Sequence, residues 1–163
     1  MNRRRTKKGD VHVSPRPVIL SGAGAPHNWT GNMLESRTIS IAIDRPWRDV
    51  YEAVWRPETF PKWASGLSRS SLEQDGEVWK AEGPEGTVRI RFTDHNPFGV
   101  MDHYVDTGSG PLIYVPLRVI ANSNGAEALL TLFRQPEMSD EKILADAEWV
   151  KRDLLALKSL VTR

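Results

Sequence analysis

Residues 139–161, SDEKILADAEWVKRDLLALKSLV, read as one long amphipathic helix, and the fold follows from what such a helix must be buried against. Ile143, Ala147, Val150, Leu154, Leu157 and Val161 recur at alternating steps of four and three, which stacks them in one stripe near the 3.6-residue period. Ser139 stands as N-cap, Asp140 and Glu141 put negative charge on the first turn, and Met138 is placed to staple onto Ile143. Lys158 and Arg163 suit the other end. At ~1.5 Å per residue the helix is roughly 35 Å long, enough to cross a small domain. Leu144, Trp149, Leu155 and Leu160 lie well off the stripe, so the apolar surface is wider than one flat contact needs. A curved surface wrapped around the helix is therefore expected.

Upstream, residues 36–43 alternate, with Ile39, Ile41 and Ile43 on one side and Thr38, Ser40 and Ala42 on the other, the pattern of a half-buried strand. Pro46 opens a helix in which Trp47, Val50, Tyr51, Val54 and Trp55 share a face, and Pro57 stops it. A short helical turn with Phe60 and Trp63 follows, ending near Gly66, and these aromatics read as core. From Leu67 to Gln135 the chain becomes short alternating runs separated by turns at Asp75-Gly76, Gly83–Gly86, Asn96–Gly99, Gly108–Pro111 and Asn122–Gly125. Six strands in an antiparallel meander are the simplest account, seven with the first. Helices segregated to one face of an antiparallel sheet make the class α+β.

One hairpin can be read in register. If Asn96–Gly99 is its loop, Arg89 faces Asp106, Arg91 faces Tyr104 and Thr93 faces Asp102, a face of complementary charge. Ile90 and Phe92 then oppose Val105 and His103, which directs His103 into an apolar core or cavity.

Composition narrows the chemistry. The chain has 163 residues, 39% hydrophobic and 26% charged, ordinary for one globular domain with a real core. Cysteine is absent, which excludes disulfides, a thiolate nucleophile and cysteine-ligated metal. No apolar run approaches the ~20 residues that span a bilayer, and a cytoplasmic setting is the default. The net charge of +1 hides an asymmetry: residues 1–32 hold six Lys/Arg and one acid, while residues 33–163 hold sixteen Lys/Arg and twenty acids. Residues 1–32, basic and rich in Pro and Gly, read as a disordered extension, and 33–163 as a single domain. The basic cluster Arg3–Lys8 resembles a nucleic-acid arm, but a solvated tail is the preferred reading and no nucleic-acid partner is expected.

Asn96–His103 (NPFGVMDH), Val115–Val119 (VPLRV) and Leu130–Asp140 (LTLFRQPEMSD) resemble a bacterial branch of the polyketide cyclase and START-like superfamily, the helix-grip, SRPBCC or Bet v 1-like proteins. The opening pattern from Ile39 through Pro46, Val50, Trp55 and Pro57 to Trp63 looks like its first strand and paired helices, so the resemblance covers about residues 35–161. It implies a seven-stranded curved sheet gripping the C-terminal helix, with a cavity between them. It carries over no catalytic residue. The extension before Met33 departs from the family's pattern.

Asp102-His103 looks like a dyad, but neighbours in a strand point to opposite faces and cannot orient one another. The same register scatters Asp94, His95, Asp102 and His103, so no metal site is expected, and no motif calls for a cofactor. The candidate ligand contacts are Ile90, Phe92, Met101, His103, Val105, Tyr114, Arg118, Val150 and Leu154, with His103 also the candidate catalytic residue. His103 is either a group that bonds a ligand carbonyl or moves a proton, or a hydrogen-bonded core histidine. Arg118, on the parity of Tyr114 and Ile120, binds a ligand carboxylate or enolate if that parity faces the cavity, and is otherwise a surface arginine near Glu127. The leading expectation is a protein that binds a small, mostly apolar molecule, a lipid, polyketide or aromatic, between sheet and helix. The alternatives are a cyclase- or dehydratase-like enzyme using His103 for proton transfer, and an interaction module whose cavity is filled. The sequence leaves the oligomeric state open.

Overall fold

The computed structural model describes residues 33–67, 71–83 and 86–163; the extension expected at 1–32 lies outside them. Strand β1 (Ser36–Ile43) falls where the alternation placed it, with Thr38, Ser40 and Ala42 exposed and Ile43 buried. Helix α1 (Trp47–Val54) starts after Pro46, whose missing N–H costs nothing there, and buries Val50, Tyr51 and Val54. Two 3-10 turns, Pro57–Lys62 and Ser65–Leu67, carry Phe60 and Leu67 into the core.

Seven further strands follow: β2 (Glu73–Asp75), β3 (Val78–Gly83), β4 (Gly86–Phe92), β5 (His103–Asp106), β6 (Ile113–Val115), β7 (Leu117–Asn122) and β8 (Gly125–Phe133). The described residues thus hold eight strands rather than seven, because the run expected over 112–121 is divided at Pro116, which has no N–H to continue the ladder. All pairings are antiparallel, in the orders β2-β3-β4-β5-β6 and β1-β8-β7. The two sets are joined where residues 99–101 run beside β7: Met101 N–H donates to Leu117 O (2.8 Å) and Val119 N–H to Gly99 O (2.9 Å). The result is one curved surface.

The β4–β5 hairpin has the expected register, with Arg89 opposite Asp106, Ile90 opposite Val105, Arg91 opposite Tyr104 and Phe92 opposite His103. Its loop is built on Asn96, whose Oδ1 accepts the N–H groups of Phe98 and Val100 and whose Nδ2 donates to the carbonyls of Asp94 and Val100. The Asn96 N–H donates to the Tyr51 hydroxyl, tying the loop to α1. Gly99 closes the loop at φ +70°, and a Cβ there would stand 2.0 Å from Val119 O, so only glycine fits.

Helix α2 (Asp140–Val161) is capped by Ser139, whose Oγ accepts the Lys142 N–H at 3.1 Å. Of the predicted stripe, Ile143, Leu154, Leu157 and Val161 are buried and Val150 is half-buried, while Leu144 and Leu155 are exposed. The C-terminal end is fixed to the end of β1, where Arg45 donates to Val161 O and Lys158 Nζ to Ala42 O (2.8 Å). Leu154 and Leu157 join Val50, Val54, Leu117, Val119 and Ala128 in the core; each fully buried aliphatic side chain contributes about 1.5–3 kcal/mol. Among the described residues no helix is long and apolar enough to cross a membrane.

Candidate functional site

The grip is not filled. A cavity of about 300 Å³ lies between α2 and the sheet, at the small end of the range for small-molecule sites. Alternation supplies its floor: Val88 and Ile90 from β4, His103 and Val105 from β5, Leu130 and Leu132 from β8. Phe60 and Trp63 enter from the 3-10 turn and its C-cap, and Trp149 and Val150 form the helix side. Val150 is only half-buried because it faces this space, whereas Leu154 and Leu157 face packed core.

His103 is the polar group on the floor, 4% exposed, with its ring edge-on to Phe60 at 5.1 Å and beside Phe92 at 5.7 Å. Its Nδ1 lies 3.3 Å from Met101 O. A carbonyl only accepts, so Nδ1 carries the proton and Nε2 keeps a bare lone pair. Burial pushes the pKa down to about 4, against which the Met101 bond acts in the opposite direction, so the ring is neutral at pH 7.

The cavity wall ends in carboxylates. Asp153 Oδ1 accepts both the N–H (3.0 Å) and the hydroxyl (2.6 Å) of Ser65, and the Ser65 hydroxyl in turn accepts from Trp149 Nε1 at 2.5 Å. Burial raises the Asp153 pKa, while its two bonds from Ser65 lower it. Asp146, one helical repeat earlier, is paired with Lys142 at 2.6 Å. Trp63 Nε1 is buried without a hydrogen-bond partner.

Of the residues expected to contact a ligand, Ile90, His103, Val105 and Val150 line the cavity. Phe92, Met101 and Leu154 do not line it: Phe92 packs behind His103 and Phe60, Met101 contributes the carbonyl that fixes the imidazole, and Leu154 is core. Tyr114 and Arg118 are corrected outright. Tyr114 pairs with Tyr104, on the parity opposite to His103, and Arg118 is ion-paired with Asp102 there, so both face away from the cavity. Asp102 accepts the Tyr114 hydroxyl at 2.6 Å and the Leu117 N–H at 3.0 Å, and Arg118 partners it rather than Glu127. His95 bonds Glu52 at 2.7 Å on the surface, so the His and Asp residues of this hairpin diverge, and among the described residues no three such side chains converge on a metal position.

Sequence reasoning missed Phe60, Trp63 and Trp149 as cavity residues, having read the first two as core and the third as off the stripe. The signal was present: Asp146, Trp149, Val150 and Asp153 recur at helical spacing, rotated from the packed stripe.

No family model matches the chain, and neither does any curated protein. Solved structures do. An uncharacterized protein from Bacillus thuringiensis aligns over 79% of this chain and 100% of its own, at 20% identity and a TM-score of 0.63. The Aha1 protein from Colwellia psychrerythraea aligns over 78% of this chain and 96% of its own (17% identity, TM-score 0.60), and Ara h 8.0201 over 79% and 98% (12%, 0.57). The chain shares the helix-grip fold of these structures, a curved antiparallel sheet around a long C-terminal helix. At these identities the likeness speaks to fold, which agrees with the curved antiparallel sheet and long C-terminal helix described above.

Proposed function

We propose that residues 33–163 act as one ligand-binding domain that holds a small, mostly apolar molecule, a lipid, polyketide or aromatic, between the sheet and α2. The observation that carries this is the cavity itself: the grip leaves about 300 Å³ open against Ile90, Val105, Leu130, Leu132 and Trp63. Apolar surface lining an open cleft faces water, and a bound apolar molecule would cover it. An interaction module with a filled cavity draws no support from this geometry.

Proton transfer by His103 is the weaker reading. A general acid must hold its proton at working pH, which a ring whose pKa burial lowers to about 4 does not, and the same low pKa makes the bare Nε2 a weak general base. The arginine that was to steady an enolate faces the other side of the sheet.

Native mass spectrometry of freshly purified protein tests the binding reading. A small-molecule adduct released on denaturation, and absent from a cavity-filling Val150→Phe variant, is the expected result. No adduct, together with no uptake of apolar probes that differs between the two proteins, overturns it.

A further inference from the structure

Among the described residues the titratable side chains that line the cavity are acceptors, His103 and two carboxylates, while the indole N–H of Trp63, also a lining residue, is a buried donor without a partner. Nε2 of His103 is an acceptor, because Nδ1 spends its proton on Met101 O, and no described group bonds Nε2. At the rim, Asp153 and Asp146 add carboxylates. Among the described residues no lysine or arginine lines the cavity, and Arg118, the cation expected there, is committed to Asp102 on the opposite face. Among the described lining residues no cation would neutralise a buried carboxylate, and the Asp153 carboxylate at the rim would repel one, Asp146 being paired with Lys142.

We infer that the ligand is a neutral or cationic apolar molecule that donates a hydrogen bond, from a hydroxyl or an amine, to Nε2 of His103, and that carboxylates are rejected. This rests on the proposed ligand-binding function and names the chemistry of that site. It also reverses the expectation from sequence, in which His103 met a carbonyl and Arg118 a carboxylate. A neutral imidazole whose one proton is already engaged has nothing to donate to a carbonyl. The apolar floor around the ring makes the donor–acceptor match at Nε2 count, since an unmatched polar group against Phe60 and Phe92 is poorly solvated.

Three probes that share one hydrocarbon skeleton test this by titration calorimetry at pH 7: 2-naphthol, 2-methoxynaphthalene and 2-naphthoate. The naphthol should bind about three- to ten-fold tighter than its ether, and the naphthoate more weakly than either. In His103→Leu the ratio of naphthol to ether affinity should fall to about one while the ether still binds, which separates the hydrogen bond from probe size. Should that variant not fold, long-range proton–nitrogen NMR of the wild-type protein carries the test. It should show Nδ1 protonated in the free protein and the Nε2 resonance moving on addition of naphthol. Equal affinity for naphthol and ether, binding of naphthoate as tight as naphthol, or a protonated Nε2 in the free protein each overturn the inference while leaving the cavity's role intact. Failure of all three probes to bind overturns the ligand-binding reading, and this inference with it.

Discussion

Asp102 and His103 are adjacent in sequence and serve opposite faces of the sheet: the carboxylate accepts the Tyr114 hydroxyl at 2.6 Å on one side, and the imidazole lines the cavity on the other. The pair that looks most like a catalytic dyad is therefore two separate devices. Asp102 holds β5 to the corner at Pro116, where β6 ends and β7 begins, through Tyr114, the Leu117 N–H and Arg118. His103 is the polar group on the cavity floor.

Replacing Asp102 by Ala should therefore cost stability and spare binding. The Leu117 N–H is left buried without an acceptor, at about 1–3 kcal/mol, and the Tyr114 hydroxyl loses its partner. Arg118 is about one-third exposed, so its share is screened. A total loss of about 2–4 kcal/mol in denaturant melts is expected, with probe affinity in the folded protein within two-fold of wild type. A loss under about half a kcal/mol would remove Asp102 from its place at the corner.

His103 makes stability pH-dependent. Its folded pKa, near 4, lies below the unfolded value near 6.5, so the unfolded chain takes up the proton first. Stability is whole above about pH 6.5, falls as pH drops toward 4, and is level for this group below that. The full span is roughly 3 kcal/mol. Melts of wild type and His103→Gln between pH 7.5 and 4 should diverge by a large part of that amount, the variant being less acid-sensitive. Parallel curves would mean that the ring is not buried neutral.

The parts legible in the sequence were those set by local repetition. Periodicity located β1 and α2 to within a residue, and turn residues with alternation gave the β4–β5 register and the inward course of His103. What failed depended on geometry between elements. Arg118 and Tyr114 follow Thr107–Leu112, whose turn leaves strand parity undetermined, and only the pairing of Tyr104 with Tyr114 settles which way they face. Leu154 and Val150 share one stripe in the sequence, yet one meets packed core and the other open space, because the cavity spans only part of the helix. Phe60, Trp63 and Trp149 look like any core aromatics until the helix and 3-10 turns are set against the sheet.

Gly99 and Gly76 form a matched pair for measuring strain. Both have positive φ, +70° and +65°, but a Cβ at Gly76 meets nothing within 4 Å and one at Gly99 meets Val119 O at 2.0 Å. Gly76→Ala should cost about 1 kcal/mol, from backbone conformation alone. Gly99→Ala should cost at least about 2 kcal/mol more, since residues 99–101 must move off β7 and break the bond from Val119 N–H to Gly99 O. Equal losses in thermal melts would show that this join between the two sets of strands yields easily.

Val150 and Leu154, one turn apart on α2, should respond in opposite ways. Leu154 is 1% exposed and belongs to the packed core, so Leu154→Ala opens a new cavity and should cost about 2–5 kcal/mol. Val150 borders space that already exists, so Val150→Phe grows into it. It should change stability by less than about 1 kcal/mol, because added contacts offset any strain. Ligand affinity should show the reverse order, falling at least ten-fold in Val150→Phe and little in the folded fraction of Leu154→Ala. If Val150→Phe destabilises as Leu154→Ala does and leaves binding intact, the bound molecule does not sit between α2 and the sheet.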